Sequence, residues 1–397
     1  MPTVAIPFFN PILTILLTII GLEWTRRILW VIRYAKTNPP LLPVTSIPAS
    51  APKISVIIPA RNEEKNIGNC LAHILKQSYP DYEVIVVDDR STDRTPEILH
   101  KFETHKAAGE TPLRIVRIEK LPPGWTGKNY AMFAGSRLAA GNWILFTDAD
   151  TTHRPESLLT AMHAALGRKV DFLTLAPETE SKSFWEKTIQ PLASGSLAIW
   201  FSPEKINDPK SGLVLANGQF ILVRKACYEK VGGNESVKNE VVEDVALAKR
   251  VKAADYKVAF LNGIHLYSTR MYRSLKEIKT GWKRILVYLF NKSIPAMLHK
   301  IFLFLFFSLL PYAALIVETA LKISGSVHFS PAVFYLSLSL CILISVVRFI
   351  GNKMVKSNPW YGLLHPLGSL LMVWILLCAI GRVIMKKPSE WRGQHHA

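Results

Sequence analysis

The sequence predicts an α/β domain joined to membrane-spanning helices, and three observations support this fold class. Apolar runs typical of buried strands alternate with helical patterns between residues 53 and 150. Residues 4–22 form a stretch of nineteen residues without a charge ahead of that region. Hydrophobic blocks follow it at 301–321, 332–347 and 361–380. Alternating strands and helices predict a parallel sheet, and uncharged stretches of about 20 residues are long enough to cross a bilayer.

The first elements of the domain have a strand–helix–strand pattern. Residues 53–59 and 82–87 are continuous apolar runs, which is typical of parallel strands covered on both faces. Between them, residues 69–77 place Leu71 and Ile74 on one side of a helix. A βαβ unit takes about thirty residues, as this stretch does, so we expect the two strands to be parallel neighbours.

A polar cluster follows each of these strands. The first is PARNEE at 59–64, and the second is DDRSTD at 88–93. Ligands of open α/β sheets bind beyond the carboxyl ends of the strands. We therefore expect both clusters to line a binding crevice.

Two carboxylates follow the next predicted strand. The strand is WILF at 143–146, and Asp148 and Asp150 come just after it, where alternation would point both side chains to the same side. Because Mg²⁺ is usually held by one or two carboxylates plus substrate phosphates, the pair predicts a site for a divalent cation. The alternative is a solvated turn or a helix cap. His153 is either a further ligand or a surface residue at the start of the next helix.

A glycine-containing loop with one lysine, PPGWTGKN at 122–129, precedes a predicted helix at 130–139. A helix start of this kind suits an anionic phosphate. The loop is not a P-loop, because Pro122 stands where a glycine is required and Asn129 replaces the required Ser or Thr. No GxGxxG motif follows a predicted strand, which disfavours a dinucleotide-dependent dehydrogenase. The alternative for Lys128 is a solvated surface lysine.

Taken in order, these motifs resemble those of family 2 glycosyltransferases of the GT-A fold. The set consists of PARNEE, DDRSTD, Gly127-Lys128, the Asp148/Asp150 pair and Glu243-Asp244, and it spans roughly residues 53–275. The PPGWTGK segment, with membrane spans after the domain, is similar to the subgroup that acts on carotenoid, hopanoid or sphingoid lipids. The resemblance implies a Rossmann-like nucleotide-sugar-binding domain with N- and C-terminal transmembrane helices.

The resemblance also implies a role for each motif residue. Asp244 would be the general base with Glu243 beside it, and Gln219, in NGQF at 217–220, would lie on the acceptor side. Asp148 and Asp150 would hold Mg²⁺ or Mn²⁺. The donor-binding residues would be Pro59, Arg61, Glu63, Asp88, Asp89, Lys128, Asp148, Arg270 and Arg273.

A carboxylate at Asp244 has a chemical purpose in such a reaction. An inverting transfer needs a base within hydrogen-bond reach of the acceptor hydroxyl, to take its proton as the anomeric carbon is attacked. The structural alternative is that Glu243 and Asp244 form the acidic first turn of a helix running to Lys252, where negative charge favours the helix dipole. Both interpretations can hold together.

The chain departs from the family pattern after the base. Many members carry Gln/Arg-x-x-Arg-Trp, whereas residues 270–274 read RMYRS and lack the tryptophan. Because that tryptophan lies near the acceptor sugar in processive polymerases, its absence argues against polymer synthesis. Arg270 and Arg273 could clamp a diphosphate, or they could belong to a basic membrane-facing stretch.

Charge placement predicts the topology. Basic residues follow the first hydrophobic stretch at once, so the positive-inside rule puts the next domain in the cytoplasm. Residues 270–300 carry eight Lys or Arg against one acid, interleaved with apolar residues, which predicts an amphipathic helix on anionic lipid. If all four blocks cross the membrane, loop 348–360 is cytoplasmic and the basic tail lies outside, against the rule. Either one block is then re-entrant or interfacial, or the side on which the soluble domain lies dominates the charge signal.

The predicted organisation therefore has six parts. They are an N-terminal transmembrane anchor (1–36), a Pro-rich linker (37–52), the GT-A domain (53–269), a basic amphipathic interfacial segment (270–300), transmembrane helices (301–383) and a basic tail (384–397).

Composition excludes other classes of protein. The net charge of +18 would suit a nucleic-acid binder, but the basic residues lie beside hydrophobic stretches and no zinc-finger, RNP or helix-turn-helix pattern occurs. The four cysteines have no paired spacing, so neither a zinc site nor a disulfide framework is predicted.

The expected function is metal-dependent, inverting transfer of a single sugar, glucose being the first candidate, from a UDP-sugar to a membrane lipid such as a carotenoid or other terpenoid. The expected location is the cell membrane, with several spans and a cytoplasmic catalytic domain. The alternatives are a processive polysaccharide synthase of the same fold and a non-catalytic membrane scaffold that binds nucleotide-sugar.

Overall fold

The computed structural model describes residues 9–48, 50–104, 111–386, 389–391 and 394–396. The chain divides into two compact units. We call the first the sheet unit and the second the helical unit. The sheet unit comprises 38–180, 198–271 and 388–397, and the helical unit comprises 1–37, 181–197 and 272–387.

The sheet unit is built on a mixed sheet of seven strands in the order β3-β2-β1-β4-β8-β6-β9. A smaller sheet has the order β5-β10-β7. The strands are β1 (Ile54–Ala60), β2 (Tyr82–Asp89), β3 (Leu113–Ile118), β4 (Trp143–Phe146), β5 (Thr151–His153), β6 (Phe172–Ala176), β7 (Glu178–Thr179), β8 (Ile221–Arg224), β9 (Val258–Asn262) and β10 (Tyr267–Thr269). The helices that accompany them are α2 (Ile67–Ile74), α3 (Thr95–Thr104), α4 (Gly127–Ser136), α5 (Ser157–Arg168), α7 (Pro203–Ile206), α8 (Lys225–Lys230) and α9 (Glu243–Ala253), with a 3₁₀ turn at Gly233–Val237.

Strands β3, β2, β1 and β4 are parallel, as the strand–helix–strand pattern predicts. Strand β8 is antiparallel to both of its neighbours, β4 and β6. Buried apolar side chains cover both faces of the sheet: Val56 and Val84 lie in the cluster on one face, and Ile57 and Ile85 in the cluster on the other. This two-sided burial explains why β1 and β2 read as continuous apolar runs rather than alternating ones.

The predicted elements differ from the observed ones mainly at their ends. Strand β4 has the predicted bounds, whereas β2 continues to Asp89, so the two aspartates of DDRSTD end the strand rather than follow it. Helix α4 begins at Gly127, earlier than predicted, because the Thr126 side chain caps it by accepting a hydrogen bond from the Asn129 backbone N–H. Lys128 therefore lies in the first turn of a helix.

Three helical segments of the helical unit are long and apolar enough to cross a membrane, among the described residues. They are Ile294–Ile323, Pro331–Met354 and Pro359–Ile384. The first consists of α11 (Ile294–Leu303), a π-helical stretch (Phe304–Leu309) and α12 (Leu310–Ile323); the second is α13 (Pro331–Met354); the third is a 3₁₀ turn (Pro359–Leu364) followed by α14 (His365–Ile384). The remaining helices of this unit are α1 (Phe9–Thr37), α6 (Phe184–Trp200), whose last residues belong to the sheet unit, and α10 (Leu275–Leu289).

The N-terminal span predicted at 4–22 lies partly outside the described residues. From Phe9 the chain forms α1, a helix of 29 residues, which buries Leu17, Ile20 and Trp24 in a cluster with α12 and α13. Several of its other apolar side chains are exposed, such as Ile15 and Leu22. The predicted basic tail at 384–397 also lies partly outside the described residues; within it, Ser389–Trp391 and Gln394–His396 pair as two short strands.

Two predictions about the helical unit are wrong. Loop 348–360 begins later than expected, because α13 continues to Met354 and contains Arg348. Residues 270–300 are not one helix, because Asn291 and Lys292 have positive φ and separate α10 from α11. Helix α10 also buries much of its apolar face within the protein: Trp282 is buried, and its indole N–H donates to the Gln190 side chain of α6 at 2.6 Å.

Candidate active site

The sheet unit gathers four motif segments around one lysine. Lys128 lies in the first turn of α4, Asp148 in the turn after β4, and Glu243 and Asp244 in the first turn of α9. Gly218 lies in the loop that leads into β8. Because β8 is the antiparallel neighbour of β4, that loop lies at the same edge of the sheet as the Asp148 turn.

Lys128 makes two ion pairs that join the motifs. Its Nζ lies 2.8 Å from Asp148 Oδ1 and 2.8 Å from Glu243 Oε1. Burial alone would lower the pKa of Lys128, but the charges of Asp148 and Glu243 outweigh burial and raise it. The interpretation of Lys128 as a solvated surface lysine is wrong, since its side chain is only 19% exposed.

Asp244 lies beside this ion-pair cluster and accepts two backbone hydrogen bonds. Oδ2 accepts from the Gly218 N–H and Oδ1 from the Val245 N–H, both at 2.8 Å. Burial and the neighbouring charge of Glu243 raise the pKa of Asp244 to about 7, against the opposing effects of Lys128 and the two N–H donors. A carboxyl with a pKa near neutrality is well suited to accept a proton.

Gly218 makes the close approach of these groups possible. A Cβ at this position would lie 3.1 Å from Lys128 Nζ, 3.3 Å from Asp244 Oδ2 and 3.4 Å from Glu243 Oε1. Any larger residue would therefore push on the cluster.

The hydroxyl groups of two buried threonines hold the Asp148 turn in place. Strand β4 ends at Phe146, so both aspartates lie on a turn, and strand alternation does not decide their direction. The Thr151 hydroxyl donates to the Asp148 carbonyl at 2.7 Å, and the Thr147 hydroxyl donates to the Gln219 carbonyl at 2.8 Å. The turn is therefore tied to the loop that carries Gly218.

His153 joins these two hydroxyls. Its Nε2 lies 2.9 Å from Thr147 Oγ1 and 3.1 Å from Thr151 Oγ1, and its ring stacks on Tyr267 with centroids 5.5 Å apart. Burial lowers the pKa of His153 to about 3, so the ring is neutral at physiological pH. The prediction of a surface residue is wrong, because the strand β5 turns this side chain inward, where it is 1% exposed.

The two aspartates at the end of β2 are buried and lie among arginines. Asp89 pairs with Arg90 at 2.8 Å and with Arg61 at 3.5 Å. Asp88 accepts a hydrogen bond from the Ser91 N–H at 3.0 Å, and Arg117 lies 3.8 Å from its other oxygen. Arg61 and Asp89, predicted from separate motifs, thus meet in one cluster, at the end of β2.

The remaining predicted residues differ in position. Pro59 lies within β1, and the Glu63 carboxylate accepts a hydrogen bond from Asn66 at 2.8 Å, at the start of α2. Gln219 is buried and donates to the Thr269 hydroxyl at 3.1 Å. Arg270 follows β10, in which Thr269 pairs with Thr151 beside the Asp148 turn.

Arg273 is separated from these residues in the division of the chain. It belongs to the helical unit, where it is exposed and precedes α10. Its backbone N–H donates to the Glu277 side chain at 2.9 Å. Sequence reasoning treated it together with Arg270, which belongs to the sheet unit.

The Asp148 turn provides hard oxygen donors for a divalent cation. Within the described residues, no group of three or more His, Cys, Asp or Glu side chains could hold a metal by protein ligands alone. Two carboxylates completed by the oxygens of a diphosphate are, however, a common donor set for Mg²⁺. The residues present therefore fit a cation that arrives with its phosphate substrate.

The fold and the sequence of this unit define the class of protein. Residues 55–232 match the family described as Glycosyl transferase family 2. The domain is similar to this family over those residues, and the protein is a glycosyltransferase of the GT-A fold.

Particular relatives extend the likeness over most of the chain. A protein named 4,4'-diaponeurosporenoate glycosyltransferase from Staphylococcus aureus (strain USA300) is 25% identical over 347 residues, covering 87% of this chain and 88% of the relative. The protein of that name from strain MRSA252 is 28% identical over 260 residues, or 64% of this chain and 66% of its own.

A solved structure shares the fold. The mannosyltransferase PcManGT from Pyrobaculum calidifontis, in complex with GDP-Man and Mn²⁺, superposes with a TM-score of 0.55 at 17% identity. The match covers 94% of this chain and 99% of that one.

Proposed function

We propose that the protein transfers a single sugar, glucose being the first candidate, from a UDP-sugar to a membrane lipid with inversion at the anomeric carbon. The observation that carries the proposal is the Lys128 cluster, in which one ammonium lies 2.8 Å from both a donor-side carboxylate, Asp148, and Glu243 of the base motif. The residues proposed for the donor side and for the base motif are thus in contact within one unit.

Asp244 is the proposed general base. Its pKa of about 7 allows it to be ionised at physiological pH and still accept a proton from an acceptor hydroxyl. The N–H groups of Gly218 and Val245 orient the carboxylate, which limits the geometries that the proton transfer has to sample. Glu243 is proposed to position Lys128 rather than to take the proton, because its carboxylate is ion-paired.

The donor is proposed to bind along the ends of β1, β2 and β4. Asp88 and Asp89 would lie against the nucleoside, with Pro59, Arg61 and Glu63 around them, and Lys128 would contact the phosphates. Asp148 and Asp150 would hold Mg²⁺ or Mn²⁺, and such a cation would neutralise the departing diphosphate. Arg270 is proposed to add a further contact to the diphosphate.

The acceptor is proposed to be a lipid of the carotenoid or wider terpenoid class. Two observations support this class. Three helical segments of the described chain have the length and composition to cross a membrane, and relatives that match most of the chain are named 4,4'-diaponeurosporenoate glycosyltransferase. Gln219 is the proposed acceptor-side residue, although its side chain already donates to Thr269.

The test is transfer of radiolabel from UDP-glucose into organic-extractable lipid, using membranes that carry the wild type or Asp244→Asn. We expect label in lipid with the wild type and a loss of about 10²–10⁴-fold with the variant, the range that general-base catalysis usually supplies. UDP affinity should be nearly unchanged, because the neutral amide keeps the size of the side chain.

Other results would contradict the proposal in different ways. Alcohol-insoluble label would indicate a polymer product instead of a lipid. Equal loss of UDP binding in Asp244→Asn would remove its assignment as base. Absence of label from every member of a panel of nucleotide sugars would favour a non-catalytic scaffold.

A further inference from the structure

The helical unit contains a cluster of polar side chains among its apolar helices. His365, which is 3% exposed, packs edge-on against Trp24, with ring centroids 5.6 Å apart. The Tyr312 ring lies 6.4 Å from it, and the hydroxyl of the buried Ser369 lies 3.4 Å from its Nε2. Tyr312 and His365 lie in helical segments that have the length and composition to cross a membrane. Polar groups in such surroundings are costly unless they find partners, and they often mark functional sites.

Two polar atoms of this cluster lack such partners. Within the part of the chain that the structure describes, Arg348 Nε and His365 Nδ1 are buried and form no hydrogen bond. The Tyr312 hydroxyl lies beside the hydroxyl of Ser345. Arg348 is within electrostatic range of both the Tyr312 and His365 rings. Both atoms can donate a hydrogen bond, as can the Tyr312 hydroxyl, and for the Arg348 and His365 atoms the described residues supply no acceptor.

The charge of the cluster is also unbalanced. Arg27 is paired with Glu23 at 2.9 Å and lies over the Trp24 ring at 4.7 Å. The Arg348 guanidinium donates a hydrogen bond to the neutral Asn352 at 3.1 Å, and in the described part of the chain it forms no ion pair. A guanidinium whose Nε is buried and which has no carboxylate partner favours an anionic ligand.

A break in regular helix geometry shapes one wall of the cluster. The π-helical stretch Phe304–Leu309 leaves the Phe307 carbonyl able to accept a hydrogen bond from the Trp24 indole N–H at 2.7 Å. Stretches of π-helix are frequent at functional sites. Here the stretch fixes the ring against which His365 packs.

We propose that Tyr312, Arg348 and His365 bind the oxyanion, a carboxylate or a phosphate, of a membrane amphiphile. The planar guanidinium suits either group, and the phenol and imidazole add two further donors. The hydrocarbon part of such a ligand would lie among the apolar side chains of the surrounding helices. The inference does not rest on the proposed sugar transfer.

The test uses the full chain, purified in a neutral detergent, and measures equilibrium binding of two matched pairs of probes. One pair is radiolabelled oleate and oleyl alcohol. The other is phosphatidylglycerol and phosphatidylcholine with the same acyl chains. The variants are Tyr312→Phe, which keeps the ring, and Arg348→Gln. Lys353→Gln is the matched control, since it removes an exposed cation from the end of the same helix as Arg348.

We expect the wild type to prefer one or both anionic probes over their neutral partners by about tenfold or more, the effect of one or two charge-assisted hydrogen bonds. Arg348→Gln should abolish the preference, Tyr312→Phe should reduce it severalfold, and Lys353→Gln should keep it. A preference for oleate alone would identify a carboxylate ligand, and a preference for phosphatidylglycerol alone a phosphate.

Two outcomes would overturn the proposal. Equal binding of anionic and neutral probes by the wild type would mean that the cluster holds only water. A preference that falls equally in Arg348→Gln and Lys353→Gln would mean that overall surface charge, rather than a built site, attracts the probes. Tyr312→Phe separates a folding defect from a binding defect, because it removes one hydroxyl and keeps the packing of the ring.

Discussion

At the scale of single residues, the adjacent acids Glu243 and Asp244 have different environments. Glu243 is ion-paired to Lys128 at 2.8 Å, whereas Asp244 accepts two backbone hydrogen bonds and has its pKa raised by burial. Their adjacency in the chain does not by itself distinguish their environments. The difference arises because the first turn of α9 directs one side chain to α4 and the other to the loop before β8.

The raised pKa of Asp244 leads to a prediction about pH. Because the carboxylate form is required of a base and is lost as the pH falls through about 7, kcat/KM should fall about tenfold per pH unit below that value. Above it, kcat/KM should level off. The measurement is kcat/KM for the donor from pH 5.5 to 9 under subsaturating conditions. A profile that stays flat down to pH 5.5 would argue that Asp244 does not titrate in this range.

His153 leads to a second prediction at this scale. His153→Phe keeps a ring against Tyr267 but removes the contacts at 2.9 and 3.1 Å to Thr147 and Thr151. We expect the Asp148 turn to loosen, with a rise of about tenfold in the donor KM and in the Kd for Mn²⁺ measured by electron paramagnetic resonance with UDP present.

The matched control for His153→Phe is Tyr79→Phe, which removes a partly buried hydrogen bond to the Pro52 carbonyl outside the site. It should lower Tm by a similar amount without changing the Kd for Mn²⁺. If both variants lower Tm and neither changes metal binding, His153 has only a structural role.

At the scale of elements, the loop before β8 is the part that the sequence described least well. Its NGQF motif was expected to supply a side chain, Gln219, to the acceptor. In the structure, the loop contributes a backbone N–H to Asp244 and a glycine that gives Lys128 room. A contribution from a backbone N–H cannot be predicted from the chemistry of the side chains in a motif.

The close approach at Gly218 gives a prediction for this loop. Gly218→Ala would place a methyl group 3.1 Å from Lys128 Nζ and 3.3 Å from Asp244 Oδ2, so we expect kcat to fall about 10-fold to 100-fold. Gly212→Ala, earlier in the same loop, meets nothing within 4 Å and should leave kcat unchanged. Equal activity of the two variants would show that the cluster can move without loss of function.

Helix α10 shows how packing changed the meaning of a sequence pattern. Its alternating basic and apolar residues predicted a helix lying on lipid, yet Trp282 is buried and bonds to Gln190 of α6, and Lys279 lies over the Trp374 ring of α14 at 4.7 Å. An apolar stripe on a helix predicts burial, but it does not say whether lipid or another helix covers it.

At the scale of the whole molecule, the helices define loops whose sides can be tested. Residues 324–330 lie between the first two membrane-length helices, and residues 355–358 lie between the second and the third. Lys353 and Lys356 lie at the second loop, so the positive-inside rule places it in the cytoplasm and the first loop outside. The same rule predicts that the catalytic domain faces the cytoplasm.

Cysteine labelling tests this arrangement. On intact cells, a membrane-impermeant maleimide should label Val327→Cys, whose native side chain is 87% exposed, and should not label Lys356→Cys. The wild type is the control, since three of its four cysteines are buried. Labelling of Lys356→Cys alone would reverse the orientation, and labelling of both would mean that α13 does not cross the membrane.

The sequence by itself determined the α/β sheet, the parallel pairing of its strands β1 and β2, and the three apolar segments that follow the domain. These features depend on local patterns, because burial on both faces of a strand requires apolar residues at every position and a membrane span requires a long uncharged stretch. The family resemblance could be predicted for the same reason, because each of its motifs is a short, contiguous stretch of sequence.

Only the tertiary structure decided which motif residues meet. Lys128 pairs with Asp148 and Glu243, and the polar cluster around His365 likewise brings together segments that are far apart in the chain. The inward direction of the His153 side chain follows from no periodicity in the sequence. Ion pairs and buried hydrogen bonds depend on distances of a few ångströms between distant residues, and such distances are set by packing rather than by local sequence.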